Sequence, residues 1–208
     1  MRPNPPVGAV VVKSGEIVGE GYHRRCGQDH AETAAIKNAL KRLHSADGRL
    51  EGCSIYVTLE PCSRPGRVGA CTDAIIKSGI SKVFFAVSDP NPVNRGRAKR
   101  VLRRSGIICE SLDRGRVDAA VVRECERLIE PFAKRVATGM PLVTVKIAMS
   151  LDGRIADEYG DACWISSARS RKETGRFRER VDAIMVGAET VRKDNPSLLS
   201  HGRANPDL

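Results

Sequence analysis

The sequence predicts an α/β protein in which strands and helices alternate around a layered sheet. Short apolar runs, such as 7–12 and 54–59, have the length and composition of buried strands. Between the runs lie segments whose apolar residues recur every three or four positions, as in 30–43. Turn-forming pairs such as Ser14-Gly15 separate the segments. A chain of 208 residues can bury the core of this architecture without cross-links.

The first part of the chain, residues 1–139, carries most of the predicted elements. The predicted strands are 7–12, 17–21, 54–59, 82–87 and 107–108. The predicted helices are 30–43, 72–77, 98–104 and 117–136. The last of these helices is followed by Gly139 and Pro141, which together form a typical stop signal.

We place a domain boundary after residue 139, which leaves 140–208 as a second domain. A strand at 142–149, a helix at 167–180 and a strand at 182–186 are predicted there. These elements are too few to close an ordinary sheet domain. We therefore interpret 140–208 as the beginning of a larger domain.

The composition narrows the possible partners. The chain has 35 Lys and Arg against 25 Asp and Glu, a formal charge of +10, which leaves nucleic acid, an anionic membrane surface and phosphorylated small molecules open as partners. Aromatic residues make up only 4%, which argues against a platform for stacking bases. No apolar run approaches the roughly 20 residues needed to span a bilayer.

The number of cysteines indicates the kind of cellular compartment in which the protein is expected. There are seven Cys, an odd number, and no secretory leader is recognisable. A disulfide-stabilised secreted protein is therefore not expected. We expect reduced thiols in a bacterial cytoplasm, or in a plastid if the source is a plant.

One group of residues has the composition of a metal site. His30 begins the first long helix, Cys62 follows the third strand, and Cys71 begins the next helix. One imidazole and two thiolates suit Zn²⁺, and helix N-termini favour the thiolate form. Three protein ligands leave a fourth position for water, as in catalytic sites. In the alternative interpretation, the cysteines are buried core residues and His30 is a surface side chain.

Glu32 completes a catalytic pattern. It lies two residues after His30, close enough to take a proton from water and pass it to a leaving amine. The order H-x-E followed by P-C and a second Cys is a known signature of zinc-dependent nucleobase deaminases. Here eight residues, instead of the common two, separate the cysteines. The other cysteines, among them Cys53 and Cys109, are predicted to be small apolar residues.

Further motifs carry a resemblance to one family. In the first part they are PNPPVGAV at 3–10, GEGYH at 19–23, HAE at 30–32, TLEPCS at 58–63, GR at 66–67, Cys71 and DPNP at 89–92. In the second part they are KIAMSLDG at 146–153, WI at 164–165, DAIMVG at 182–187, Thr190 and DNP at 194–196. With these motifs the sequence resembles the bifunctional riboflavin-biosynthesis deaminase–reductases, whose deaminase domain has the eight-residue spacer.

The resemblance implies a fold for each domain. Residues 1–139 would form a three-layer cytidine-deaminase-like α/β domain with a mixed sheet. Residues 140–208 would form the incomplete N-terminal part of a dihydrofolate-reductase-like α/β domain. The family's first helix has no counterpart before Pro3, and the chain stops before the rest of the reductase domain. We expect no competent reductase activity from the chain as given.

The resemblance also implies the chemistry. The deaminase would hydrolytically remove ammonia from a diamino-ribosylamino-pyrimidinone 5′-phosphate, and the reductase would then reduce the ribose with NADPH. His30, Cys62 and Cys71 match the family's zinc ligands, and Glu32 matches its proton shuttle. The expected partner is the phosphorylated pyrimidine, and the expected assembly is a homo-oligomer. Neither a membrane nor nucleic acid is expected to bind.

Several residues match the family's substrate positions in the deaminase. They are Asn4, His23, Arg64, Arg67, Asp89 and Asn91. Asn4 and His23 would meet the pyrimidine, since an amide can fix a ring's donor and acceptor edge. Arg67 and the loop at 89–92 would meet the ribose phosphate. Arg64 stands where the family usually has His, and it would offer a charged contact.

The reductase positions are matched in the same way. The residues that match the NADPH site are Ala148, Trp164, Thr190 and Asp194. The residues that match its substrate site are Lys146, Arg178 and Leu198. Two positions differ from the family, because Ala162 replaces a Ser and His201 replaces an Arg.

Two other functions remain open from the sequence. One is a deaminase of nucleosides or tRNA with the same zinc fold. The other is a non-catalytic nucleic-acid-binding zinc protein, favoured by the basic segment 95–104 and the net charge. The scarcity of aromatic residues and the presence of Glu32 argue against the second.

Overall fold

The strands predicted in the first part of the chain form one mixed sheet. The computed structural model describes residues 4–66, 68–112, 115, 117–162 and 164–199. The strands are β1 Gly8–Lys13, β2 Glu16–Tyr22, β3 Ser54–Leu59, β4 Lys82–Val87 and β5 Ile108–Ser111. They are arranged in the order β2-β1-β3-β4-β5. β1 is antiparallel to β2 and β3, whereas β3, β4 and β5 are mutually parallel. The predicted mixed sheet is confirmed.

Helices connect the parallel strands and cover the sheet. They are α1 Ala31–Arg42, α2 Cys71–Lys77, α3 Arg97–Arg104 and α4 Ala119–Thr138. Parallel neighbours require crossover connections, and α2 and α3 supply them after β3 and β4. α4 ends where the stop signal predicted, with Gly139 in a left-handed conformation (φ 73°).

The apolar core lies between one face of the sheet and helices α1, α2 and α3. Alternate strand residues such as Val11, Ile55 and Phe85 pack there against Ala35 and Leu102. This alternation is what the pleat of a strand requires when one face is buried. α4 packs on β4 and, together with residues such as Val10 and Tyr56, lines a cavity on the opposite face. The first unit is thus three-layered, with helices on both faces of the sheet.

An unusually close contact joins β2 to α1. A Cβ atom built on Gly21 would lie 2.4 Å from the backbone nitrogen of Ala35 and 2.5 Å from the carbonyl oxygen of Ala31. A Cβ atom on Gly19 would lie 2.5 Å from the carbonyl oxygen of Ala35 and 2.6 Å from Ala39. Only glycine allows a strand and a helix to approach this closely. This contact fixes the position of α1 against the sheet.

The second unit contains helices but lacks the predicted strands. The chain divides into Met1–Val143 and Thr144–Leu208. The second unit holds α5 Ala168–Arg178 and α6 Ala188–Asp194. The predicted strand 142–149 is wrong, because in the described residues it has no strand assignment and no neighbour to pair with. The predicted strand 182–186 is also wrong, since it shows only an isolated bridge at residue 183.

Helix α6 was not predicted from the sequence. None of its seven residues is buried, so its sequence lacks the apolar stripe that would predict a helix. No helix in the described part of the chain combines the length and the apolar character needed to cross a membrane.

The close contact between β2 and α1 should make the stability of the protein sensitive to a side chain at Gly21. We expect Gly21→Ala to lower the free energy of unfolding by about 1–3 kcal/mol, because the new methyl group must displace helix backbone. Urea denaturation of the purified protein measures this change.

The matched control is Gly8→Ala in β1. There a Cβ atom would meet only Thr58 Cγ2, at the ordinary distance of 3.9 Å. We expect a change well below that of Gly21→Ala. Equal effects of the two substitutions would show that the close approach does not constrain α1.

Candidate metal centre

Two helix starts and one strand end bring the predicted ligands together. His30 is the residue immediately before α1, and Cys71 is the first residue of α2. Cys62 lies three residues beyond the end of β3. The imidazole nitrogen of His30 and the Sγ atoms of both cysteines lie within 4.8 Å of one another. The structure therefore gathers the three residues that the sequence predicted as ligands.

Both thiols face the same imidazole nitrogen. His30 Nδ1 is 3.2 Å from Cys71 Sγ and 3.5 Å from Cys62 Sγ. The backbone N–H of Cys71 also donates to Cys62 Sγ at 3.3 Å. One nitrogen and two sulfur donors that converge in this way suit Zn²⁺. Within the described residues, the cluster contains no fourth His, Cys, Asp or Glu, so the donor set fits a catalytic rather than a closed structural site.

The two thiols share their protons unequally. The Cys71 thiol donates a hydrogen bond that, with the neighbouring imidazole, lowers the pKa of Cys62 to about 4 despite its burial. The pKa of Cys71 is raised for the same reason, since its proton is held by Cys62 and its side chain is buried. The Cys62 thiolate in turn raises the pKa of His30. The centre therefore holds one thiolate readily, and a bound cation would have to release the second proton.

Glu32 lies beside the cluster in the first turn of α1. Only 4% of its surface is exposed, and burial is the main cause that raises the pKa of its carboxyl group. Its carboxyl group interacts electrostatically with Cys62 and His30, which places it next to the proposed ligands. A buried carboxyl group with a raised pKa can both accept and return a proton near neutral pH.

Asn4 and His23, predicted to meet the pyrimidine, lie together against His30. Asn4 Nδ2 donates to His23 Nε2 at 3.1 Å, and His23 Nδ1 donates to the carbonyl oxygen of Asp29, also at 3.1 Å. An amide donor on one nitrogen and a carbonyl acceptor on the other assign the proton to Nδ1. The His23 ring is buried and meets the His30 ring edge to face, with centroids 5.2 Å apart.

Asp89 and Asn91 lie in a loop that their own side chains organise. Asp89 Oδ1 accepts from the backbone N–H of Asn91 at 2.8 Å, and Asp89 Oδ2 accepts from Asn94 Nδ2 at 3.1 Å. Asn91 Oδ1 accepts from the backbone N–H of Val93 at 3.0 Å. Burial raises the pKa of Asp89. The predicted phosphate-side loop is therefore an ordered turn.

The sequence reasoning did not single out Glu60. Its side chain is buried between β3 and Cys62, and it accepts hydrogen bonds from the backbone of the Asp89 loop. The only signal for it in the sequence is its place in the TLEPCS motif at 58–63.

The structure says less about the two arginines that were predicted to meet the substrate. Arg64 is exposed, two residues after Cys62. Arg67 lies outside the described residues, so the structure does not place its side chain.

The first unit also contains a large cavity. It has a volume of about 1240 Å³ and is lined by residues of the sheet and of α4, including Val10, Tyr56 and Val121. None of the three predicted ligands lines it. The chemistry of the donor set, not cavity size, therefore identifies the centre.

The predicted reductase residues lie in the second unit and are mostly exposed. Trp164 stacks under the guanidinium of Arg171 at 4.1 Å. Ala148 is half-buried, Lys146 is exposed, and α6 carries the exposed Thr190 and Asp194.

Arg178 reaches the segment that contains Leu198. Its Nη1 donates to the carbonyl oxygens of Ser197 at 2.9 Å and of Leu199 at 3.4 Å. Two predicted substrate-side residues are thus close to each other. His201 lies outside the described residues.

Comparison with known proteins identifies relatives of both parts. The family model for the cytidine and deoxycytidylate deaminase zinc-binding region matches residues 1–87, and that for the RibD C-terminal domain matches 141–207. Riboflavin biosynthesis protein RibD of Bacillus amyloliquefaciens is 43% identical over 198 residues, which are 95% of this chain and 49% of that protein. Its namesake from Escherichia coli (strain K12) is 41% identical over 197 residues, 95% of this chain and 50% of that protein.

Solved structures give the same result. RibD of Acinetobacter baumannii (form 1) superposes with a TM-score of 0.82 at 35% identity, over 100% of this chain and 55% of that one. The diaminohydroxyphosphoribosylaminopyrimidine deaminase/5-amino-6-(5-phosphoribosylamino)uracil reductase of Thermotoga maritima has a TM-score of 0.84 at 41% identity, over 98% of this chain and 55% of that one.

These matches confirm the fold class and the family resemblance. The chain spans about half the length of the curated relatives it matches. The zinc-binding family model covers the His/Cys/Cys cluster, which confirms Zn²⁺ as the metal of this part of the chain.

The unequal protonation of the two thiols can be measured. In metal-free protein at pH 6, we expect iodoacetamide to modify Cys62 at least tenfold faster than Cys26, because only the thiolate is nucleophilic. Both side chains are partly exposed, which makes Cys26 the matched control. Peptide mass spectrometry measures the two rates.

Saturating Zn²⁺ should protect Cys62 and leave Cys26 unaffected. Equal modification of the two thiols at pH 6 would contradict the low pKa of Cys62.

Proposed function

We propose that this relative of the bifunctional riboflavin-biosynthesis deaminase–reductases is a zinc-dependent deaminase of a diamino-ribosylamino-pyrimidinone 5′-phosphate. Residues 1–139 would form the deaminase domain, and 140–208 would form part of a reductase domain. The single observation that carries the proposal is the cluster of His30, Cys62 and Cys71 with the buried carboxyl group of Glu32 beside it.

The three ligands would hold Zn²⁺ through one nitrogen and two sulfur atoms. When bound, Zn²⁺ supplies a Lewis acid that lowers the pKa of a coordinated water. The reaction exchanges a ring amino group for oxygen, so that water is consumed and ammonia is released.

Glu32 would carry the proton in this exchange. As a carboxylate it accepts a proton from the attacking water, and as a carboxylic acid it returns that proton to the departing amine nitrogen. Burial raises its pKa above that of an ordinary carboxyl group, which makes the neutral, proton-carrying form easier to reach. Burial also keeps the carried proton from exchanging freely with solvent.

Asn4 and His23 would orient the pyrimidine. The hydrogen bond from Asn4 Nδ2 to His23 Nε2 fixes the amide, so that its carbonyl oxygen can accept from an amino group of the ring. His23 is itself fixed through the carbonyl oxygen of Asp29. This pair lies against the ligand His30, which would place the ring next to the metal centre.

The phosphate end would be met by other residues. Asp89 and Asn91 shape a turn that presents backbone groups, and Arg64 and Arg67 would supply positive charge. The net charge of +10 is compatible with an anionic substrate.

Two alternatives are less well supported. A nucleoside or tRNA deaminase would not account for the match of residues 141–207 to the RibD C-terminal domain. A non-catalytic zinc protein would not account for a buried carboxyl group beside an open metal centre.

For the second unit we propose a part of the NADPH-dependent reductase site. Its residues would be Lys146, Ala148, Trp164, Arg178 and Leu198, together with Thr190 and Asp194 of α6. The described contacts join Trp164 to Arg171 and Arg178 to the segment 197–199, and they do not assemble a cofactor cradle. The proposed chemistry is therefore confined to deamination. A homo-oligomer, as expected from the resemblance, is part of the same proposal.

The proposal is tested by zinc content and ammonia release. Purified protein should contain close to one zinc per chain and should release ammonia from the phosphorylated pyrimidine but not from cytidine. Zinc-loaded protein that releases ammonia from cytidine alone would overturn the assigned substrate.

The role of Glu32 makes a sharper prediction. We expect Glu32→Gln to retain zinc and to reduce the rate of ammonia release by about 10²–10⁴-fold, the usual contribution of a general acid–base group. Elemental analysis and an ammonia assay on the same sample give both quantities.

Two cysteine variants serve as controls for this test. Cys71→Ser should lose zinc and activity together, whereas Cys53→Ser, in the core, should keep both. A Glu32→Gln protein with the turnover of the original chain would exclude Glu32 as the proton carrier.

A further inference from the structure

A buried carboxylate connects the metal centre to the loop at 89–96. Glu60 follows the last residue of β3 and precedes Cys62 by two residues, and only 3% of its surface is exposed. None of the ion pairs among the described residues includes it. A buried carboxylate must therefore be stabilised here by hydrogen bonds.

One oxygen of Glu60 holds both ends of the loop. Oε2 accepts from the backbone N–H of Asp89 at 3.2 Å and from the backbone N–H of Gly96 at 3.0 Å. Gly96 precedes the first residue of α3 and has a φ of 72°. A negative charge is favoured at this helix start, and hydrogen bonds to a charged acceptor are stronger than neutral ones.

The backbone of Glu60 is fixed as well. Its N–H donates to the carbonyl oxygen of Val87, the last residue of β4, at 2.8 Å, which extends the pairing with β4 beyond the end of β3. The carboxylate is therefore carried by the same rigid segment that leads to Cys62. Displacement of Asp89 or Gly96 relative to Cys62 would therefore stretch one of the bonds to the carboxylate.

The interior of the loop is ordered by its own side chains. Asp89 binds the backbone of Asn91 and the side chain of Asn94, and its carbonyl oxygen accepts from Arg95 Nε at 3.1 Å. These bonds give the loop a shape, but they do not position it against the metal centre. Among the described contacts, the Glu60 carboxylate makes that connection.

Stability alone does not explain a carboxylate at this position. Glu60 Oε1 is buried and has no hydrogen-bond partner among the described residues. A buried acceptor without a partner lowers stability. The residue is better explained by the two bonds that its other oxygen makes.

We propose that Glu60 is a positioning residue that fixes the 89–96 loop at a set distance from Cys62 and thereby sets the affinity for the substrate's ribose phosphate. This inference rests on the proposed function, since Asp89 and Asn91 are assigned to the phosphate end of the substrate. Glu60 itself touches neither the metal ligands nor the reacting atoms in this account.

The test compares Glu60→Ala with Glu60→Gln. Alanine removes both hydrogen bonds, so the KM for the phosphorylated pyrimidine should rise about tenfold, the equivalent of one hydrogen bond to a charged group. The kcat and the zinc content should change less than about threefold, because the metal ligands and Glu32 are untouched. Glutamine keeps a carbonyl oxygen for the two N–H groups and should recover most of the affinity.

Hydrogen exchange measured by NMR gives a readout that does not depend on activity. The amide protons of Asp89 and Gly96 should exchange at least tenfold faster in Glu60→Ala and should regain protection in Glu60→Gln. Glu51→Ala is the matched control, because Glu51 is an exposed acid paired with Arg49 in the same unit. It should change neither the exchange rates nor KM.

The outcomes separate the inference from the proposed function. Unchanged exchange at both amides, or lower thermal stability of Glu60→Ala with an unchanged KM, would overturn the inference. If the original chain deaminates no phosphorylated pyrimidine, the proposed function fails, and exchange at the two amides then decides whether Glu60 clamps the loop. If Glu60→Ala does not fold, Glu60→Leu takes its place. Equal KM values and equal exchange rates in Glu60→Leu and Glu60→Gln would then overturn the inference.

Discussion

The backbone contact between β2 and α1 is the constraint on which the metal centre depends. Gly19 and Gly21 place no side chain between strand and helix, so α1 lies directly on the sheet. The residue before α1 is His30, and its first turn carries Glu32. Because α1 packs closely on β2, both side chains lie where β3 ends and α2 begins. The packing of small residues thus contributes to the position of the site.

Hydrogen bonding and burial together set the chemistry of this centre. The imidazole of His30 can balance the charge of one thiolate but not of two. Cys62 therefore ionises readily, and Cys71 keeps its proton. Burial raises the pKa of Glu32. His30, Cys62 and Cys71 would hold a divalent cation in place of the shared proton, and the carboxyl group of Glu32 would remain free to exchange a proton. Hydrogen bonding between the thiols therefore sets their protonation, whereas burial sets that of Glu32.

Much of the first unit could be predicted from the sequence, and the reason is physical. Each of its strands and helices buries one face. Apolar residues therefore recur about every two positions in the strands and about every 3.6 positions in the helices. The segment 142–149 has a similarly apolar composition but forms no strand in the described residues, because a strand exists only with a partner. The ligands could be predicted since His and Cys are rare and chemically specific. The role of Glu60 could not, because hydrogen bonds to backbone N–H groups leave no pattern in residue type.

In the proposed centre, three protein side chains hold the zinc ion and leave one coordination position open. X-ray absorption at the zinc edge of the purified chain tests this arrangement directly. We expect two sulfur ligands at about 2.3 Å, one histidine nitrogen at about 2.0–2.1 Å, and one further light atom that is displaced by a bound substrate analogue. A closed set of four protein ligands, or a spectrum without two sulfur atoms, would contradict it.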